Sequence, residues 1–258
     1  MGSHMKKNIP VSDNDFIQSL YNFNINARVS VIEKLIELFK LDVKMSEADQ
    51  KSIFICIFEN YIAMSEMILM LIIAMKKVRR EGNKTFFETY TNVCIKESIG
   101  SVFSSKKLLK DVSGKEPEDL MQFFGFGSFQ TYYDSLNDQK KCEFHKQFGN
   151  DINKIEKDFI SEFQKVINAL RNIVNSRIAN KNGQEFPLYK LLNKIKHGYQ
   201  IIDIQGSDQL SIFLKSENDW EDYSINCNVD FAEMLLYNAN IITQTMKTLI
   251  QYYTLSMN

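Results

Sequence analysis

Apolar residues recur at Val29, Ile32, Leu35, Ile36 and Phe39, and this spacing of three and four predicts a helix over 26–41. Ser46 with Asp49 is a capping pair that opens a second helix, predicted to run unbroken to Arg80, close to Gly82. A third helix is predicted over 85–111, with Gly100 as a weak point. "SGKEPED" (113–119) and "GFGSF" (125–129) are breaks, and a helix is predicted over 129–148. The best helical pattern covers 150–180, where Ile152, Ile155, Phe159, Phe163, Val166, Leu170 and Ile173 form one stripe. "ANKNGQ" (179–184) reads as a loop, and Pro187 suits the first position of a short helix ending at His197-Gly198.

After Gly198 the period changes. "YQIIDIQ" and "DQLSIFLK" are β-rich and joined by Gly206-Ser207, which predicts a hairpin near 199–215. "SENDWED" (216–222) reads as a solvated acidic loop holding Trp220. A last helix is predicted over 229–253, with Phe231, Leu235, Ile242, Met246, Leu249 and Tyr253 inward. The expected fold class is mainly all-α: a multi-helix bundle with one small β-hairpin. Residues 1–4 resemble an expression tag remnant, and 5–258 are expected to form a single helical domain with a sub-boundary near 113–127.

The apolar stretch 52–75 raises the question of a membrane span. Glu59 and Glu66 lie inside it, and carboxylates at bilayer depth are costly. Its longest charge-free run, 67–75, is too short to cross. A buried helix and no membrane partner are therefore expected, with Glu59 and Glu66 either paired or reaching water.

Composition adds little more. The chain is 44% hydrophobic and 24% charged, as ordinary globular proteins are, and its ten glycines and three prolines suit long helices better than many tight turns. A formal net charge of −1 removes any global electrostatic case for nucleic acid, so such binding requires a local patch. Cys56, Cys94, Cys142 and Cys227 are scattered, which points to reduced thiols and a cytoplasmic location. Cys142 and His145 have the spacing of half a zinc site, but no second half matches it, so no metal or other cofactor is expected. "KKVRREGNK" (76–84) is basic, and reads as a solvated helix terminus before it reads as a phosphate site.

One segment carries candidate chemistry. In "LLNKIKHGY" (191–199) helical geometry puts Leu188, Leu191, Leu192 and Ile195 on one face and Lys190, Asn193, Lys194 and His197 on the opposite one. Lys194, Lys196 and His197 also suit the negative end of a helix that Gly198 caps, so the segment is a well-formed terminus whatever else it does. A histidine titrating near neutrality on a polar face is a candidate general acid or base.

A long helix carrying Arg171-Asn172, followed by "NKIKHG" (193–198), resembles the HEPN superfamily of helical-bundle proteins. Many members of that family cleave or bind RNA in bacterial defence and toxin–antitoxin systems. Their signature is Arg, a polar residue that is often Asn, three further residues and His, with the site formed at a dimer interface. Two partial copies occur here. Residues 192–197 have Asn193 and His197 but Leu192 in place of Arg, and 171–176 have Arg171 and Asn172 but Ser176 in place of His. The resemblance implies metal-free RNA cleavage in a homodimer, with His197, Arg171 and Asn193 catalytic and Lys190, Lys194 and Asn172 binding RNA. A base would take the ribose 2′-OH proton and a cation would steady the charge on the phosphate. The competing expectation is a non-catalytic helical module that binds a protein partner and has no RNA activity, which the Leu192 and Ser176 departures favour.

Overall fold

The computed structural model describes residues 12–41, 45–81, 84–96, 128–175, 177–180, 183, 185–187, 201–203, 209–215 and 220–255. The fold is a mainly helical bundle with small antiparallel β elements.

Helix α1 (Asp13–Ser19) continues through a π-helical segment (Leu20–Asn26) into α2 (Ala27–Lys40). Ser12 caps α1 by accepting from the Asp15 N–H at 3.1 Å. As predicted, Val29, Ile32 and Ile36 of α2 are buried, and Leu35 and Phe39 pack against the same core.

Helix α3 (Glu47–Glu81) begins with the predicted reciprocal cap. The Asp49 N–H donates to Ser46 Oγ at 3.2 Å, and the Ser46 N–H donates to Asp49 Oδ2 at 3.3 Å. The helix is long and apolar enough to cross a membrane, but 67% of its most apolar window is buried inside the fold. It packs against α2, α4 (Phe86–Lys96) and the last helix. Glu59 reaches solvent, whereas Glu66 is 3% exposed.

The helix predicted over 129–148 is two, α5 (Phe129–Asp134) and α6 (Asp138–Phe148). Asn137 starts the second one afresh by accepting from the Lys140 N–H at 2.9 Å. Helix α7 (Ile152–Asn175) follows Gly149, whose φ of 96° is readily adopted only without a Cβ. It packs along α8 (Val229–Leu255), which buries Leu235, Ile242, Met246, Leu249 and Tyr253 as predicted and leaves Phe231 partly buried. An aromatic cluster joins α5, α6, α7 and α8: Phe148 stacks on Tyr252 at 4.4 Å and 5°, and Phe159 meets the same ring edge-on at 4.3 Å.

Strands β1 (Arg177–Ala179) and β2 (Glu185–Pro187) pair antiparallel. Strands β3 (Ile201–Asp203) and β4 (Gln209–Lys215) form the predicted hairpin. A third strand, β5 (Trp220–Asn226), pairs with β4 along its length, so the predicted acidic loop is corrected to end in a strand. Tyr223 and Ile225 bury one face of β5 while Asn226 is exposed, and this alternation outweighs the local run of charge. Pro187 itself is the last residue of a strand and not a first helical position, and the rest of the short helix predicted from it lies outside the described residues. An edge position tolerates its missing N–H. Predictions for 97–127 and 188–200 lie outside the described residues.

Candidate functional site

The candidate catalytic and RNA-binding residues Lys190, Asn193, Lys194 and His197 lie outside the described residues, as do Leu192 and Ser176. Arg171 and Asn172 fall in the last turns of α7, which ends at Asn175, and their side chains are not described. No distance among these six candidates is therefore part of the structure.

His145, by contrast, is described and fully engaged. His145 Nδ1 lies 2.9 Å from the Gly149 carbonyl and Nε2 lies 2.7 Å from the Tyr133 hydroxyl. A carbonyl only accepts, so Nδ1 donates to it, while Nε2 and the Tyr133 hydroxyl hydrogen-bond to each other. Both nitrogens are used within the fold, and neither is left for a metal beside the exposed Cys142. Among the described residues no group of three or more His, Cys, Asp or Glu is placed to hold a metal ion.

The basic run at the end of α3 is turned inward more than its sequence indicates. Arg79 lies 5.7 Å from the centre of the Tyr253 ring, and burial lowers its pKa while Tyr253 and Tyr132 oppose that shift. Lys76, Lys77 and Lys84 each have an interaction within the fold. Lys76, Lys77 and Arg79 are also half-buried. The run is therefore not a solvated fringe presented whole to a phosphate chain.

A cleft of about 480 Å³ opens between α6, α7 and α8, which the sequence reading missed. Phe148, Phe159 and Tyr252 form its floor, and Asp158, Glu162 and Lys165 stand on its walls. Lys165 donates to Glu162 at 2.5 Å, and Thr245 Oγ1 approaches the other Glu162 oxygen at 3.4 Å. With Glu162 offset by Lys165, Asp158 leaves the wall net negative, which is the wrong sign for a phosphate backbone. Its residues come from the consecutive helices α6 and α7 and from the distant α8, so no local motif announces it.

No protein-family model, no curated protein and no solved structure matches the chain.

Proposed function

We propose that the protein is a HEPN-like cytoplasmic protein that binds or cleaves RNA, in a bacterial defence or toxin–antitoxin role. The observation that carries this reading is the sequence "NKIKHG" (193–198), downstream of a long helix with Arg171-Asn172 in its last turns. A mainly helical bundle is the kind of scaffold that the family resemblance implies. In this reading His197 serves as general acid or base, Arg171 supplies a cation, and Asn193 orients the ring or the phosphate. Lys190, Lys194 and Asn172 hold the RNA, and a homodimer brings two copies of the site together.

Leu192 and Ser176 favour a second reading, a non-catalytic helical module that docks a protein partner. Purified protein incubated with a mixed single-stranded RNA, without added metal, separates the two. Cutting supports the ribonuclease. Salt-dependent binding without cutting supports an RNA-binding member that has lost catalysis. Neither binding nor cutting leaves the interaction module.

A further inference from the structure

Among the described residues the exposed large apolar side chains are Met234 and Tyr237 on α8 and four others, Phe23, Val31, Leu38 and Leu41, left 78%, 42%, 41% and 55% exposed. These last four belong to the π segment and α2, or to the residue just after α2. With the half-buried Ala27 and the exposed Lys34 they form one line: 23, 27, 31, 34, 38, 41. The steps from 27 onward are four, three, four and three, which is the spacing of a helix–helix seam. The core face of α2 is already filled by Val29, Ile32 and Ile36, so this second stripe faces away from the bundle. A soluble surface carries single exposed leucines without consequence, but a seam along one helix marks a contact.

We infer that the outer face of α2 is an interface with a second copy of this chain, the two α2 helices lying antiparallel across a two-fold axis. The charges choose both the occupant and the pairing. In an antiparallel pair, facing positions have residue numbers of constant sum. Setting Val31 against Leu41 of the second copy sets Lys34 against Leu38, and brings Glu37, the neighbour of Leu38, beside the Lys34 ammonium. The two-fold axis repeats this contact, giving two reciprocal Lys34–Glu37 pairs framed by Val31, Leu38 and Leu41. An axis passing through Lys34 itself would instead press two ammonium groups together. Lys40 is not free to join the seam, because it pairs with Glu233 of α8. The contact is isologous, so it closes at two copies. The inference rests on α2 alone and does not depend on the RNA reading.

Sedimentation equilibrium and light scattering test it, using the full chain from about 1 to 200 µM. Wild type is expected to be dimeric at the upper end. Leu38→Glu and Lys34→Glu are each expected to give monomers with unchanged thermal melts, since both side chains are exposed. Lys34→Glu combined with Glu37→Lys is expected to restore the dimer, because the swap rebuilds both ion pairs. His197→Ala is expected to leave the oligomeric state alone, which separates this interface from the composite RNA site. A monomeric wild type at the highest concentration overturns the inference. So does a dimer indifferent to Leu38→Glu and Lys34→Glu, and failure of the charge swap overturns the antiparallel pairing.

Discussion

The Asp13 carboxylate receives the backbone N–H of Phe86 at 2.7 Å, across 73 positions of sequence. Its other oxygen receives the Phe87 N–H at 3.2 Å. The side chain of Thr85 accepts from the Glu88 N–H at 3.1 Å, so the first three amides of α4 are all satisfied from outside the helix ladder. A negative charge at that end also suits the helix dipole. One carboxylate thus ties the start of α1 to the start of α4, and Phe16 seals the junction by meeting Phe87 edge-on at 4.8 Å. Asp13→Ala is expected to cost about 1–2 kcal/mol in urea unfolding. Asp13→Asn, which keeps one acceptor oxygen, is expected to fall between it and wild type. Equal stability of all three would mean that the junction is held by the rings alone.

Phe144 tests the aromatic cluster. It is fully buried, and its ring lies 5.1 Å from Phe148, 5.4 Å from Tyr133 and 6.0 Å from Tyr252. These neighbours come from three helices that cannot collapse together into the gap without moving their backbones. Phe144→Ala is expected to destabilise by about 3–5 kcal/mol, the range for removing a packed aromatic side chain. Phe148→Ala, at a half-buried ring, is expected to cost less, and the order of the two in denaturant melts checks the assignment.

Alkaline pH is expected to unfold the protein cooperatively. Burial raises the phenol pKa of Tyr61, Tyr90, Tyr132, Tyr252 and Tyr253 above the ordinary tyrosine value of 10.0. At Tyr132 and Tyr253 the Arg79 cation opposes the shift without cancelling it. Below pH 10 both folded and unfolded tyrosines hold their protons, so this contribution is constant. Above it the unfolded chain loses protons first, and stability falls with rising pH by about 1.4 kcal/mol per unit for each such tyrosine. Tyrosinate absorbance is expected to rise in one step that coincides with loss of helical circular dichroism. A gradual rise with the helix intact would show that these hydroxyls reach water.

The sequence was legible where one periodicity ran uninterrupted. Helices α2, α7 and α8 follow from their stripes, and α3 follows from its Ser46–Asp49 cap, readable because both partners sit within one turn. The helix over 13–26 escaped because the π segment shifts the repeat away from 3.6. The α5–α6 break escaped because Asn137 was hidden in a run that otherwise reads as helix. Strand β5 escaped because Glu221 and Asp222 mask the alternation of Tyr223 and Ile225. The acidic cleft was beyond local reading altogether, since Phe148, Asp158 and Tyr252 meet only through packing. For the candidate site the balance is reversed. Its residues were named from the sequence, and of these the described fold includes only the backbone of Arg171 and Asn172.

The proposed RNA chemistry is expected to depend on His197 more than on any other side chain. After residue 4, His145 is the only other histidine, and both of its ring nitrogens are held by Tyr133 and Gly149. Removing a general acid or base costs about 10²–10⁴-fold in rate, so His197→Ala is expected to lose cleavage by that factor. Gly198 still follows the substituted residue, and the leucine side of the segment is untouched, so thermal melts are expected to match wild type. Arg171→Ala is expected to impair cleavage as well, with Arg171→Lys rescuing it only in part, because a compact ammonium lacks the guanidinium fork. His145→Ala supplies the contrast: it is expected to lower stability through the lost Tyr133 contact and to leave the cleavage rate of the folded fraction unchanged. If His145→Ala abolishes cleavage while His197→Ala retains it, the site has been assigned to the wrong histidine and the resemblance over 193–198 carries no chemistry.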